Sequence, residues 1–496
     1  ACAFAAGGVA AQQAPQQLTQ ADAQRVEVIG ATPLPGTSIP KDRVPSNVQT
    51  LGEGALRRLQ SLNLPDAAAA ALPGVVVNEV QGNPFQVDVD FRGFSASPLL
   101  GTPQGLSVFL DGVRVNEPFR DVVNWYLIPR AALADLTLLP GSNPLFGLNT
   151  LGGALSLRTK SGDTHPGTEL SLEAGSFGRV MSELSHGRKL GEHGHLFIAA
   201  SSFDERGWRD HSPSRVRQLF AKGGVRERDW EASLSLTHAD NSLVGNGLLP
   251  EPMLAQRRQQ VYTRPDRTTV GMTMLSFNGS VELNAEHKLS ALAYVRRSNA
   301  RTLNGDLNDE YDPPAHDEAG VENRSHTRQQ GEGVALQSLH KLGAQQLTLG
   351  LSQDRARSRF RQTEAEGQLD AARRVVDVED AETSAWISGT TRTTSFYAHD
   401  LIELRPDLQL TLAARWNDTR VRTTDLGRAQ LGLSTNLDGE GRFRKLNPAV
   451  GMTWQATPAL TIFGGFSQGN RAPSPIELGC SDPAQACVLP NALQSD

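Results

Sequence analysis

From about residue 165 onward the chain repeats one pattern, a change between apolar and polar at every second position, and this repetition limits the fold more than any other feature. Between Trp230 and His238, Trp230, Ala232, Leu234 and Leu236 fall on one face and Glu231, Ser233, Ser235 and Thr237 on the other, because successive side chains of an extended strand point to opposite sides. The same period recurs at 169–174, 289–294, 347–352, 408–413 and 458–463. A series of such segments predicts a long antiparallel sheet. Its connections come in two sizes. Those at 282–287, 404–407 and 455–458 are short, whereas the polar stretches near 239–266, 299–330, 354–392 and 418–442 are long. Short turns on one rim and long loops on the other are what an up-and-down membrane barrel requires, and structureless loops of that length are uncommon in compact soluble domains.

Hydropathy is neutral toward this reading. Mean hydropathy is -0.35 and 38% of residues are hydrophobic. After the first dozen positions there is no apolar run of about 18 residues, so membrane-spanning helices are excluded. A barrel is not, since its lumen-facing and lipid-facing residues alternate and average out. Aromatic residues, at 6%, are thin for the interfacial girdles of a large barrel. The net charge of -6 provides no broad basic field, which argues against nucleic acid as a partner.

The first 164 residues have a different texture. Residues 1–11 read as the remnant of a secretory signal peptide with Val9-Ala10-Ala11 as a small-residue cleavage site, a lipid anchor at Cys2 being the weaker alternative. Residues 12–47 are polar and flexible. They contain a short alternating extended segment, Arg25, Val26, Glu27, Val28 and Ile29, which Pro33, Pro35 and Pro40 prevent from lengthening into a core strand. Residues 48–164 predict a small α+β domain. Two helical stretches lie within Leu51–Leu72, broken at Pro65, with Asp66 opening the second. Short strands follow at 75–77, 87–91, 107–110, 113–115, 136–139 and 154–158, and Asp111-Gly112 is a strong hairpin signal.

Five phrases in that domain occur in a telling order: Leu72-Pro-Gly-Val75, Asp90-Phe-Arg-Gly-Phe94, Val108-Phe-Leu-Asp-Gly-Val-Arg-Val115, Pro140-Gly-Ser-Asn-Pro-Leu-Phe-Gly147 and Leu151-Gly-Gly-Ala-Leu-Ser-Leu-Arg-Thr-Lys160. In order and spacing they resemble the plug of TonB-dependent receptors, and Asn470-Arg-Ala-Pro-Ser-Pro-Ile-Glu-Leu478 resembles a late barrel motif of that family. The resemblance implies a mainly β protein: a plug at 48–164, followed at 165–496 by an incomplete antiparallel transmembrane β-barrel. The roughly 330 residues after the plug allow about 14 strands, against roughly 22 in a complete plugged transporter, so a fragment lacking carboxyl-terminal strands is expected.

It further implies a location in the bacterial outer membrane, in contact with its lipid, and a role in import without catalysis. Arg25 to Ile29 match the TonB box, the strand that pairs with the partner TonB and the inner-membrane energising complex by strand addition. Arg92 matches an arginine that faces acidic residues of the barrel wall; the second such arginine is replaced by Leu139 before Pro140-Gly141. The cargo implied is a ferric siderophore or other metal chelate, with heme, cobalamin, a copper complex or a glycan as alternatives, and an outer-membrane adhesion or structural barrel as the competing class. Ligand contacts are expected from apical plug segments near 95–104 and 116–125, with Phe119, Arg120 and Trp125 as candidates.

Other constellations are ordinary. Cys480 and Cys487 stand close together, which in an exported protein predicts a local disulfide, while a metal pair would want further ligands nearby. An acidic run with Asp306, Asp309, Glu310, Asp312, Asp317 and Glu318 has the carboxylates for calcium but reads more simply as a solvated loop. His193 and His195 read as surface histidines. No metal, cofactor or catalytic residue is assigned.

Overall fold

The computed structural model describes residues 28–30, 32–34, 38–99, 104–481, 487 and 489. Arg25, Val26 and Glu27 lie outside them. Thirteen strands, from Gly167–Gly175 to Leu460–Ser467, are hydrogen-bonded in chain order, each antiparallel to the next, and the two-residue strand Val375–Val376 adds to Gln345–Leu369. The sheet is not closed, because its first and last strands each have one strand neighbour among the described residues.

The strands are longer than the alternation suggests, reaching 25 residues in Gln345–Leu369. Most of the four stretches expected as long loops are strand. The connections left are 245–265, which holds the helix Glu251–Gln256, then 308–319, 370–381 and 426–438, which holds Leu426–Leu431. Beyond the membrane both faces meet water, so the apolar alternation fades while main-chain pairing continues. The short turns at 283–286 and 406–407 stand where expected.

Which face points where follows from burial. Trp230 and Leu234 are 45% and 51% exposed, whereas Ser235, Thr237 and Asn241 on the other face are at most 3% exposed. This inverts the pattern of a soluble sheet. Apolar side chains face outward, as lipid contact demands, and polar ones face inward.

The inward face surrounds the amino-terminal domain. There Gly153–Thr159 runs parallel to Leu106–Leu110 and antiparallel to Leu133–Pro140, with Gln49–Gly52 and Val113–Arg114 at the edges. A second sheet holds Val75–Asn78, Asp88–Phe91 and Phe94–Ala96. Helices span Glu53–Leu59 and Leu64–Ala71. The break between the two helices falls at 60–63 and not at Pro65, where the sequence places it. Pro65 lies in the first turn of the second helix, where its missing N–H is no loss, and Asn63 caps the helix by accepting from the Asp66 N–H at 2.8 Å. Leu136, Leu138, Val108 and Leu155 form a core continuous with Met272, Met274, Leu292 and Ala335 of the wall, so the domain is packed against the inside of the barrel sheet.

Candidate functional site

The functional geometry lies where the plug meets the wall. At the short-turn rim, Glu53 is held by Lys160 at 2.9 Å, Arg57 at 2.9 Å and His165 at 3.0 Å, and Arg57 also reaches Glu169 of the first barrel strand at 2.7 Å. Burial raises the Glu53 carboxyl, but these hydrogen bonds and charges outweigh it and bring it from the ordinary 4.5 down to about 2. Deeper in, Asp111 of the plug hairpin accepts from Lys222 of the wall at 3.0 Å and from Thr159. Arg130 grips Glu183 through two bonds of 3.2 and 2.9 Å.

A further group of bridges is of one kind: wall side chains donate to main-chain carbonyls of the plug. Arg296 reaches Val115 O and Asn116 O at 2.8 and 3.0 Å. Gln218 reaches Tyr126 O and Ile128 O at 2.7 and 3.0 Å, and Asn241 also reaches Tyr126 O. Asn278 reaches Asp111 O and Arg415 reaches Leu145 O. None of these wall residues was a candidate from sequence. The available signal was a long polar side chain at an inward position of a period-two strand.

The sequence candidates are placed differently from the expectation. Among the described residues Arg92 forms no ion pair with the wall; it is exposed, adopts φ 53°, and lies over its neighbour Phe91 at 5.0 Å. Phe119 and Trp125 are 0% and 4% exposed. Phe119 stacks on Phe360 of the wall, and Trp125 donates to Ala96 O inside the plug core, so neither presents a face to a ligand. Arg120 donates to Thr327 and lies over Phe360, which makes it a plug-to-wall contact. Cys480 and Cys487 are disulfide-bonded, with Cα atoms 5.1 Å apart. They sit beyond Pro475–Gly479, a short helix whose residue Ile476 donates to Phe119 O. Nearby, Asn149 of the plug bonds Asn470 O and the Ala472 N–H, so this segment covers the plug from the long-loop side. His195 is buried at 7% exposure, contrary to the surface reading. Among the described residues no three His, Cys, Asp or Glu side chains converge as metal ligands, so the acidic run at 306–318 is not gathered into a calcium site.

Of the cavities between plug and wall, two share one lining segment. One of about 180 Å³ contains Arg114, Asp121, Tyr294, Arg296, Asp354 and Arg415. The other, about 920 Å³ and toward the short-turn rim, contains Glu53, Asp111, His195 and Lys222. Pro33, Leu34 and Gly112 line both. The segment Thr32 to Leu34 thus stands between them, Thr32 donating to Gln337 of the wall at 2.8 Å. It is three residues past Ile29, and Val28–Gly30 pairs antiparallel with Ser38–Pro40.

A folded stopper inside a sheet that is apolar outside and polar inside defines an outer-membrane receptor of the plugged-barrel class. Residues 40–154 match the TonB-dependent Receptor Plug Domain, and residues 207–492 match the TonB dependent receptor-like beta-barrel; the chain belongs to the TonB-dependent receptor family. Among solved structures it is similar to the unliganded ferric citrate transporter FecA, with a TM-score of 0.71 at 12% identity, covering 86% of this chain and 63% of that one. It is also similar to the ferripyoverdine receptor of Pseudomonas aeruginosa, with a TM-score of 0.68 at 14% identity, covering 89% of this chain and 59% of that one. Vitamin B12 transporter BtuB of Vibrio cholerae serotype O1 is 23% identical over 201 residues, 40% of this chain and 30% of that protein.

Proposed function

We propose that the protein is the receptor of a TonB-energised import system that carries a scarce metal chelate, foremost a ferric siderophore, across the outer membrane. The observation that carries the reading is the lumen filled by a plug whose amino-terminal segment, Thr32 to Leu34, separates two cavities along the wall. A lumen closed in this way needs work to open, and the alternating sequence at Arg25 to Ile29 has the pattern of a segment that a partner can pair with by strand addition. The partner is TonB. Names of similar proteins support the cargo class: ferric citrate and ferripyoverdine among the structures, and vitamin B12, a cobalt chelate, among the curated relatives. Domain limits at 11, 47 and 164 belong to the same reading.

Cells with and without the gene, fed labelled ferric chelates or cobalamin under limitation, test the cargo. Iron uptake is expected to depend on the gene, and equal uptake in both strains rejects the siderophore. Val28→Pro removes a strand donor and is expected to abolish uptake while leaving the barrel assembled. Unchanged uptake favours the structural or adhesion reading.

A further inference from the structure

The outward face of the wall changes character along its strands. One cross-strand row reads Leu336, Leu351, Phe396, Trp416 and Leu446, each the direct partner of the next. Leu336, Phe396 and Leu446 are all more than half exposed. Four residues further from the short-turn rim, on the same face, the row reads Arg355, Arg392, Arg420 and Arg442, again direct partners on four adjacent strands and all exposed. Arg357 and Arg422, then Arg359 and Arg361, continue the band outward.

Like charges placed directly opposite one another destabilise a sheet. The carboxylates nearby do not answer them all. Asp418 pairs with Arg442 and Arg444, while Glu332, the cross-strand partner of Arg355, forms no ion pair with it. Arg355 and Arg420 have no ion pair among the described residues. This excess sits on a chain whose net charge is -6. Its depth matters too. Four residues of strand rise about 13 Å, or about 10 Å along the membrane normal at barrel tilt, which places the arginines at headgroup level when the leucine row marks the hydrocarbon edge. The rim is the one with the long connections, opposite the Glu53 cluster, and therefore external.

We propose that this band is a docking surface for the phosphate groups of a phosphorylated outer-leaflet lipid. Guanidinium forks of Arg355, Arg392 and Arg420 take phosphate oxygens in paired hydrogen bonds, for which their planar geometry is suited, while Arg442, whose fork is held by Asp418, stands at the end of the row. The acyl chains lie on the leucine row below. Bound phosphates cancel the repulsion along the row, so lipid and strand register stabilise each other. The inference rests on the outer-membrane placement of the family and not on the cargo.

The test uses the receptor extracted from its own outer membrane in a neutral detergent, with retained phosphorylated glycolipid measured by mass spectrometry. The variant R355Q/R392Q/R420Q/R442Q is expected to retain at least about tenfold less than wild type. A control with as many charges removed at the opposite rim, K189Q/R228Q/K341Q/R405Q, is expected to match wild type. Wild-type receptor offered the same lipid stripped of phosphate is expected to bind as poorly as the band variant. That arm stays decisive should the variant fail to assemble. Equal retention by band variant and wild type, equal binding of the stripped lipid, or displacement of the lipid by inorganic phosphate each overturns the proposal. No readout involves uptake, so failure of the transport reading is scored separately.

Discussion

Single side chains decide how firmly the plug is seated. Lys222 and Asp111 are 12% and 9% exposed at their side chains, and removing one member of a buried ion pair leaves the other charge without compensation. Lys222→Met is therefore expected to destabilise the plug by about 3 kcal/mol, read as a lower denaturant midpoint for plug unfolding. Adding Asp111→Asn, which tolerates the left-handed backbone at φ 46°, is expected to restore most of the loss. Glu53 gives a pH signature. Its folded value is depressed to about 2 from 4.5, so the carboxylate stabilises the fold fully above 4.5 and loses that contribution as pH falls toward 2. The stability difference between wild type and Glu53→Gln is expected to be constant at neutral pH and to vanish near pH 2 in unfolding measured along a pH series. A difference that persists at pH 2 contradicts the assignment.

The segment Thr32 to Leu34 is thin for the position it holds. Gly112 faces it at φ 91°, and an added Cβ there comes within 2.7 Å of Pro33 O. Gly112→Ala is expected to displace the segment, raising the thiol reactivity of a Thr32→Cys reporter several-fold over its rate beside Gly112. Unchanged reactivity means that the segment does not depend on that fit. Legibility in the sequence also divides by element. The period-two strands and the Asp111-Gly112 hairpin were readable, because strand direction and turn chemistry are local. The assignment of the apolar face to lipid was not readable from Trp230 and Leu234 alone, since the same alternation serves a soluble sandwich. The helix start at Leu64 is not legible, because a proline reads as a breaker until its place in the first turn is known. Arg92 is picked out by motif position and Phe119 and Trp125 by their place in a segment between strands, yet Phe119 stacks on Phe360 of the wall, more than two hundred residues away, Trp125 belongs to a core that only the folded plug defines, and Arg92 lies over adjacent Phe91.

At the scale of the whole molecule, the open sheet has edge strands, Gly167–Gly175 and Leu460–Ser467, exposed along most of their length. Bare edges are not tolerated in hydrocarbon. The chain covers 63% of the FecA structure and 59% of the ferripyoverdine receptor, and further strands pairing both edges are what a closed wall requires.

The bonds from Arg296, Gln218, Asn241, Asn278 and Arg415 end on carbonyls of the peptide backbone, and every amino acid offers that same acceptor. At those contacts a stopper can thus trade its side chains while the cylinder still recognises its path, whereas pairs such as Asp111 with Lys222 and Arg130 with Glu183 must change together. Chimeras carrying the plug of a distant relative are expected to assemble with protease-resistant plugs, whereas replacing Arg296 and Gln218 by alanine in the native pairing is expected to loosen it. Heredity then has a handful of positions, and not the whole contact, to keep matched between the two halves.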